Sequence, residues 1–187
     1  MIRTADPADA AELLAIYSYY AENTAVSFET SAPSLEEFRS RIENTLKKYP
    51  YLVYTDETGR ILGYTYAGPF KGRAAYDWAV ETTVYVEKDS RRSGVGRKLY
   101  TALEDALKKQ NIINMYACIA YKTDNDPHLT LDSVRFHERM GFEKTGQFHK
   151  CGYKFDHWYD MIWMEKILSD HTVPAAPVIP FNGGTIL

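Results

Sequence analysis

The chain has 187 residues, 45% hydrophobic and 25% charged, with a formal net charge of −3; this suits one well-filled domain and excludes a surface-wide field for nucleic acid or an anionic membrane. Two cysteines, Cys118 and Cys151, are too few and too distant for a disulfide framework or a zinc site. No run approaches the roughly 20 apolar residues of a membrane span and the N-terminus shows no apolar leader, so the expected setting is cytoplasmic, without membrane or metal.

Along the chain, a short strand precedes Asp6, Pro7 and Asp9, which mark a helix start as N-cap, first helical position and first-turn acid. Leu13, Ile16, Tyr17 and Tyr20 then share one face. After the loop "NTAVSFETSAPS", Ser34 and Glu37 stand in capping-box spacing ahead of a second helix running toward Tyr49 and Pro50. "YLVYTDETGRILGYTYAG" reads as a hairpin around "DETGR", and "WAVETTVYVE" as the next strand. A helix from about Ser93 to Lys109 and a strand at "INMYACIAY" complete a strand, helix, strand unit in which parallel pairing is expected. "DSVRFHERMGF" is a short helix closed by Gly141, and two final strands follow. The order is β, α, α, β, β, β, α, β, α, β, β. The 15 tyrosines suggest a ring-lined cleft. The tail from 169 to 187, with prolines and a glycine pair, is expected to be an extended arm packing on a neighbour or on nothing.

The transition from strand to helix at "TTVYVEKDSRRSGVGRKLY" asks for a chemical reason. A helix N-terminus has unpartnered N–H groups and positive potential, so it binds phosphate where side chains leave room. Gly94 and Gly96 leave that room, while Arg91, Arg92 and Arg97 supply charge. The alternative is a helix start with a solvated basic surface. Neither the Walker loop nor the Gly-x-Gly-x-x-Gly fingerprint is present; the pattern is Arg91-x-x-Gly94-x-Gly96 after "VYV".

This pattern resembles the pyrophosphate loop of the GNAT acetyltransferases. "YAGPFKGRAAYDWAVETTVYV", "GVGRKLYTAL", "NDP" and "SVRFHERMGF" are similar to the branch of phosphinothricin and methionine sulfoximine or sulfone acetyltransferases. The resemblance covers roughly residues 2 to 166, and it implies an α/β fold with a mixed, mostly antiparallel twisted sheet of six or seven strands. About four helices would flank the sheet, with a splayed parallel pair at the acetyl-CoA cleft. A domain over 1–168 would precede the tail. The cosubstrate's arm would lie along the backbone of Val84, Tyr85 and Val86, and its pyrophosphate over Arg91, Arg92, Ser93, Gly94, Val95, Gly96 and Arg97. Asn125 and Ser133 match a family motif that contacts the cosubstrate, but "HLTLD", residues 128–132, is inserted between them.

Acetyl transfer needs a deprotonated amine and therefore a base. Strand alternation places Glu81 with Thr83 and Tyr85, an arrangement equally expected of a solvated strand face. The resemblance makes Glu81 the base, and it places His137 where many relatives carry a tyrosine that protonates the leaving thiolate. An imidazole near its ordinary pKa suits that role; a helix histidine satisfied by a neighbour is the structural alternative. Covalent catalysis has no support from an activating partner beside either cysteine. A backbone N–H near Val84 would polarise the thioester carbonyl. Phe28, Lys71, Arg73 and Tyr76 are the implied acceptor residues, with Arg73 suited to a carboxylate or phosphinate.

The leading expectation is N-acetylation of a small amino acid analogue by direct transfer, in a homodimer. The rivals are acetylation of a protein N-terminus or another amine, favoured by a cleft lacking a cation, and an acyl-CoA-binding module without catalysis.

Overall fold

A computed structural model describes residues 1–183 of the chain. Its elements are β1 Ile2–Thr4, α1 Ala10–Asn23, α2 Leu35–Leu46, β2 Tyr51–Thr55, β3 Ile61–Pro69, β4 Ala79–Val86, α3 Val95–Lys109, β5 Asn114–Tyr121, α4 Asp132–Arg139, β6 Glu143–Lys154 and β7 His157–Ile167. The strands form one sheet in the order β1-β2-β3-β4-β5-β7-β6. Each neighbouring pair is antiparallel except β4 and β5, the parallel pair joined by α3. The order and pairing agree with those expected.

The helix starts follow their local chemistry with one shift. Asp6 accepts from the Ala8 N–H at 2.8 Å and Asp9 accepts from the Asp6 N–H at 2.8 Å, but this reciprocal box caps a tight turn over Pro7–Asp9, so α1 begins only at Ala10. Ser34 caps α2 through the Glu37 N–H at 3.1 Å. Strand alternation sends successive residues to opposite sheet faces. Leu52, Ala67 and Val80 therefore meet Leu99, Leu103 and Leu107 of α3 on one face, while Tyr51, Val53 and Tyr64 meet Leu13, Ile16 and Phe38 of α1 and α2 on the other.

The second face explains most of the tyrosine excess. Tyr51, Tyr64 and Tyr66 stack across β2 and β3, and Tyr17, Tyr20 and Tyr85 continue the cluster under α1. These rings fill a core rather than lining a cleft, contrary to expectation, because their width spans the distance between sheet and helices. Tyr85 belongs both to this core and, with Tyr100 of α3, to the lining of a cavity between β4 and β5.

The tail also departs from expectation, since it docks on its own chain. Prolines remove donors but leave carbonyls, which side chains of the domain can engage. Trp78 Nε1 donates to the Ala176 carbonyl at 2.7 Å, Asn111 Nδ2 to Pro177 at 2.8 Å and Gln110 Nε2 to Ile179 at 2.8 Å. The Ile179 and Phe181 N–H groups return bonds to Gln110 and Lys48 at 3.0 Å each. Val178 and Phe181 pack against the α3 side of the core; the last four residues of the expected tail lie outside the described residues. Ending the chain after Asp170 should lower unfolding stability by about 2–4 kcal/mol, from lost contacts and bonds. The acetyl-CoA KM should stay unchanged, a contrast read by urea melts beside steady-state kinetics.

Candidate active site

The cleft originates in the parting of β4 and β5. They pair at Ala79–Asn114, Val80–Met115 and Glu81–Tyr116, and then diverge. At the fork the Thr82 hydroxyl donates to the Tyr116 carbonyl at 3.1 Å, replacing a ladder bond. Beyond it, Val84, Tyr85 and Val86 pair with Thr65, Tyr64 and Gly63 of β3 on one side only. The open side is a strand edge suited to the amide-bearing arm expected there. The cavity at the fork is lined by β4 from Thr82 to Tyr85, β5 from Ala117 to Ala120, Tyr100 of α3, Ser133 and His137 of α4, and Val26 of the α1–α2 loop.

At the outer end of β4 lies the glycine loop. Gly94 caps α3 with φ 87°, a left-handed conformation, and Lys98 bonds back to its carbonyl at 3.1 Å. By helix geometry the N–H groups of Val95, Gly96 and Arg97 have no intrahelical acceptors. Val95 is buried, while Arg91, Arg92, Ser93 and Arg97 are exposed around them. Arg92 itself has φ 62°, an uncommon conformation for a non-glycine residue. A Cβ at Gly94 would meet nothing within 4 Å, whereas one at Gly96 would lie 3.3 Å from Phe136. Gly94 therefore supplies the turn and open space; Gly96 allows α4 to approach. This cradle fits a pyrophosphate by donor type, charge and clearance. Gly94→Ala should cost about 1–2 kcal/mol of stability through its positive φ and raise the acetyl-CoA KM with little change in kcat. Paired melts and saturation curves would check it.

Glu81 stands where strand pairing ends, partly buried between Gly68 of β3 and Tyr116 of β5. Burial raises its pKa above the usual carboxylate value, with Lys71 pulling in the opposite direction. A carboxylate so placed is a stronger base than one in water. Nearby, burial pushes the Cys118 thiol up to about 12, and the Glu81 charge acts in the same sense. The thiol is thus protonated at neutral pH.

His137 differs from the expected near-neutral imidazole. It is 4% exposed, and burial lowers its pKa to about 4. Its Nδ1 lies 2.8 Å from the Ser133 carbonyl and its Nε2 2.9 Å from the Tyr100 hydroxyl. A neutral ring places its hydrogen on Nδ1 for the carbonyl, leaving Nε2 as an acceptor. Tyr100, also 3.2 Å from Thr82 Oγ1, brings its hydroxyl to the cavity beside His137. Sequence reading passed over Tyr100 because it falls on the apolar face of α3, where a core ring and a cavity ring have the same spacing.

Lys71 lies over Phe70 and Trp163, with its ammonium 4.9 and 5.5 Å from the ring centroids. Tyr76 packs edge-on against Phe70 at 6.0 Å, and Arg73 is exposed in the same β3–β4 connection. Phe28 of the α1–α2 loop, 40% exposed, lies against Tyr159 of β7. Asn125 and Ser133 do not share one cavity: Ser133 lines the fork, and Asn125 an adjoining cavity bounded by Lys122 and Arg135. Leu129 of the insert borders both cavities. The insert also places Asp132 3.4 Å from Arg92, an exposed and therefore weak pair beside the glycine loop.

Comparison with known proteins bears on this geometry. Residues 2–163 match the family model described as the acetyltransferase (GNAT) domain. The phosphinothricin N-acetyltransferase of Streptomyces viridochromogenes is 38% identical over 94% of this chain and 90% of its own. The L-methionine sulfoximine/L-methionine sulfone acetyltransferase of Pseudomonas aeruginosa is 32% identical, covering 88% of this chain and 92% of its own. A crystal structure of a phosphinothricin acetyltransferase from Sinorhizobium meliloti in complex with AcCoA superposes with a TM-score of 0.84, at 28% identity, covering 97% of this chain and 98% of that one.

Proposed function

Because the chain belongs to the GNAT family and is an acetyl-CoA-dependent N-acetyltransferase, we propose that its acceptor is the amine of a small amino acid analogue of the phosphinothricin or methionine sulfone/sulfoximine type. The observation that carries this reading is the juxtaposition of Glu81, its pKa raised by burial, with Lys71 and the fork between β4 and β5. A carboxylate of raised basicity takes the amine proton, directly or through water, as the nitrogen attacks. Lys71, with Arg73 and Tyr76 on the same connection, offers charge to the acid group of the acceptor, and Phe28 closes the other wall. These cations weigh against a protein N-terminus as acceptor.

Acetyl-CoA binds as a substrate, with Val84, Tyr85 and Val86 along its arm and Arg91 to Arg97 at its pyrophosphate. Ser133, and Asn125 in the adjoining cavity, complete that side. The Val84 N–H polarises the thioester carbonyl. The protonated thiol of Cys118 supports direct transfer within a ternary complex rather than an acyl-cysteine route. His137 Nε2 accepts from the Tyr100 hydroxyl and so positions it; as the thiolate departs, that one hydrogen turns from His137 to the sulfur. The test is acetyl-CoA turnover across free amino acids, methionine sulfone, methionine sulfoximine, phosphinothricin and short peptides. Preference for the sulfur and phosphorus analogues is expected; equal or greater turnover of peptides would overturn the assignment.

The working unit in this reading is a cytoplasmic homodimer. β6 is a sheet edge, and its hairpin with β7 exposes Phe148, Tyr153 and Trp158. Exposed strand edges and clustered rings favour association. Light scattering on the purified chain would separate monomer from dimer.

A further inference from the structure

We propose that Lys154 is a positioning residue whose ammonium gathers the carbonyls of the segment from Ala21 to Glu29, and so sets the cleft wall that carries Val26 and Phe28. The proposal rests on the acceptor site assigned above. Lys154 ends β6 and is 5% exposed. Its Nζ donates to the carbonyls of Ala21 at 2.5 Å, Thr24 at 2.8 Å, Ser27 at 2.7 Å and Glu29 at 2.7 Å. An ammonium has three N–H bonds, so four oxygens share them, as they would around a small cation.

The location explains why a lysine is needed. The final carbonyls of a helix lack intrahelical donors and carry the negative end of its dipole, and α1 ends at Asn23. Ala21 contributes a carbonyl from that last turn, and the other three come from the chain leaving it. A buried cation there satisfies the helix end and fixes the direction in which the loop departs. Burial lowers the Lys154 pKa, opposed by Glu29, yet the ring of carbonyls favours the charged form.

The loop so held forms part of the cleft. Val26 lines the cavity with Thr83 and Cys118. Gly152, two residues before Lys154 and on the same strand face, gives Phe28 its place, since a Cβ there would lie 2.4 Å from the ring. One face of β6 thus holds both the backbone and the ring of the loop. The Ser27 hydroxyl, 2.8 Å from the Tyr17 hydroxyl, and the Ala25 N–H on the His128 carbonyl at 2.9 Å complete the anchorage.

The experiment compares Lys154→Met and Gly152→Ala with the wild type, by amide hydrogen exchange and by separate KM values for acceptor and acetyl-CoA. In Lys154→Met, exchange over residues 24–29 should quicken while β4 and β5 keep their protection. The acceptor KM should rise about tenfold or more with the acetyl-CoA KM within about twofold, because displacing one wall misplaces one substrate. Gly152→Ala should raise the acceptor KM while leaving the Lys154 bonds intact. A folded Lys154→Met with unchanged loop exchange, or with an unchanged acceptor KM, overturns the proposal. Should that variant fail to fold, Lys154→Arg, which keeps the charge but not the fit to four carbonyls, is read in the same way: quickened exchange over residues 24–29 with a raised acceptor KM supports the proposal, and wild-type values of either overturn it. A wild type that refuses the sulfur and phosphorus analogues defeats the acceptor reading alone; both variants are then compared on the amine selected by the turnover screen.

Discussion

Replacing Glu81 with glutamine is expected to lower kcat by about 10²- to 10³-fold near neutral pH, with both KM values close to wild type, because the variant retains the shape of the side chain without its basicity. The wild-type rate should rise with pH through the Glu81 titration, whose midpoint lies above the usual glutamate value because burial disfavours the carboxylate. The glutamine variant should lose that limb. Stability should move the other way. A carboxyl with a raised folded-state pKa contributes most below its unfolded pKa and loses that contribution as pH rises through the folded one. Glu81→Gln should therefore be the more stable protein at pH 7, with the difference closing in acid. Urea midpoints at two pH values test the stability change, and a kcat profile tests the role. Retained turnover with a wild-type pH limb would remove Glu81 as the base.

The residues legible in the sequence were those whose meaning lies within a few neighbours. Asp6 with Asp9, Ser34 with Glu37, and the left-handed Gly94 act through their own turn of chain, whereas Gly96 acts through its clearance from Phe136 of α4. The position of Glu81 on β4 beside "VYV" was legible in the same way, since one strand's register carries both; its role as base is the proposal made above. Even here the details needed the fold: Asp6 caps a tight turn rather than α1, and Arg92 beside the glycine loop faces Asp132 from the insert.

What stayed hidden depends on burial or on partners distant in sequence. A lysine at the end of a hairpin strand reads as solvated until the end of α1 is found against it, 133 residues away. The charge state of His137 follows from a cover built by Tyr100 of α3, Phe136 of α4 and Phe142 in the α4–β6 connection. The tail's prolines ruled out a helix, but its carbonyls found Trp78, Gln110 and Asn111, whose availability is a property of the folded surface. Periodicity likewise separates apolar from polar faces without separating a core tyrosine from one beside a cavity.

Tyr100→Phe and His137→Phe should each lower kcat by about 10- to 100-fold, and the double variant should be no worse than the weaker single one, because the two side chains act as a unit. The resemblance put a proton donor on α4, at His137. With a pKa near 4 and Nδ1 directed to Ser133, that ring is neutral at working pH and accepts from Tyr100. In the reading proposed above, the phenol of α3, kept protonated by a pKa that burial raises, releases its one hydrogen bond to His137 and donates that hydrogen to the departing sulfur instead. Linkage gives an independent signature. A histidine whose folded-state pKa is depressed contributes stability above its unfolded value of about 6.5, lost as pH falls toward the folded value. The wild type should lose roughly 3 kcal/mol from this residue between pH 6.5 and 4, in keeping with its folded-state pKa of about 4. His137→Phe should flatten that part of the profile. Additive losses in the double variant would break the unit, and a wild-type acid slope in His137→Phe would show that the ring was not held neutral.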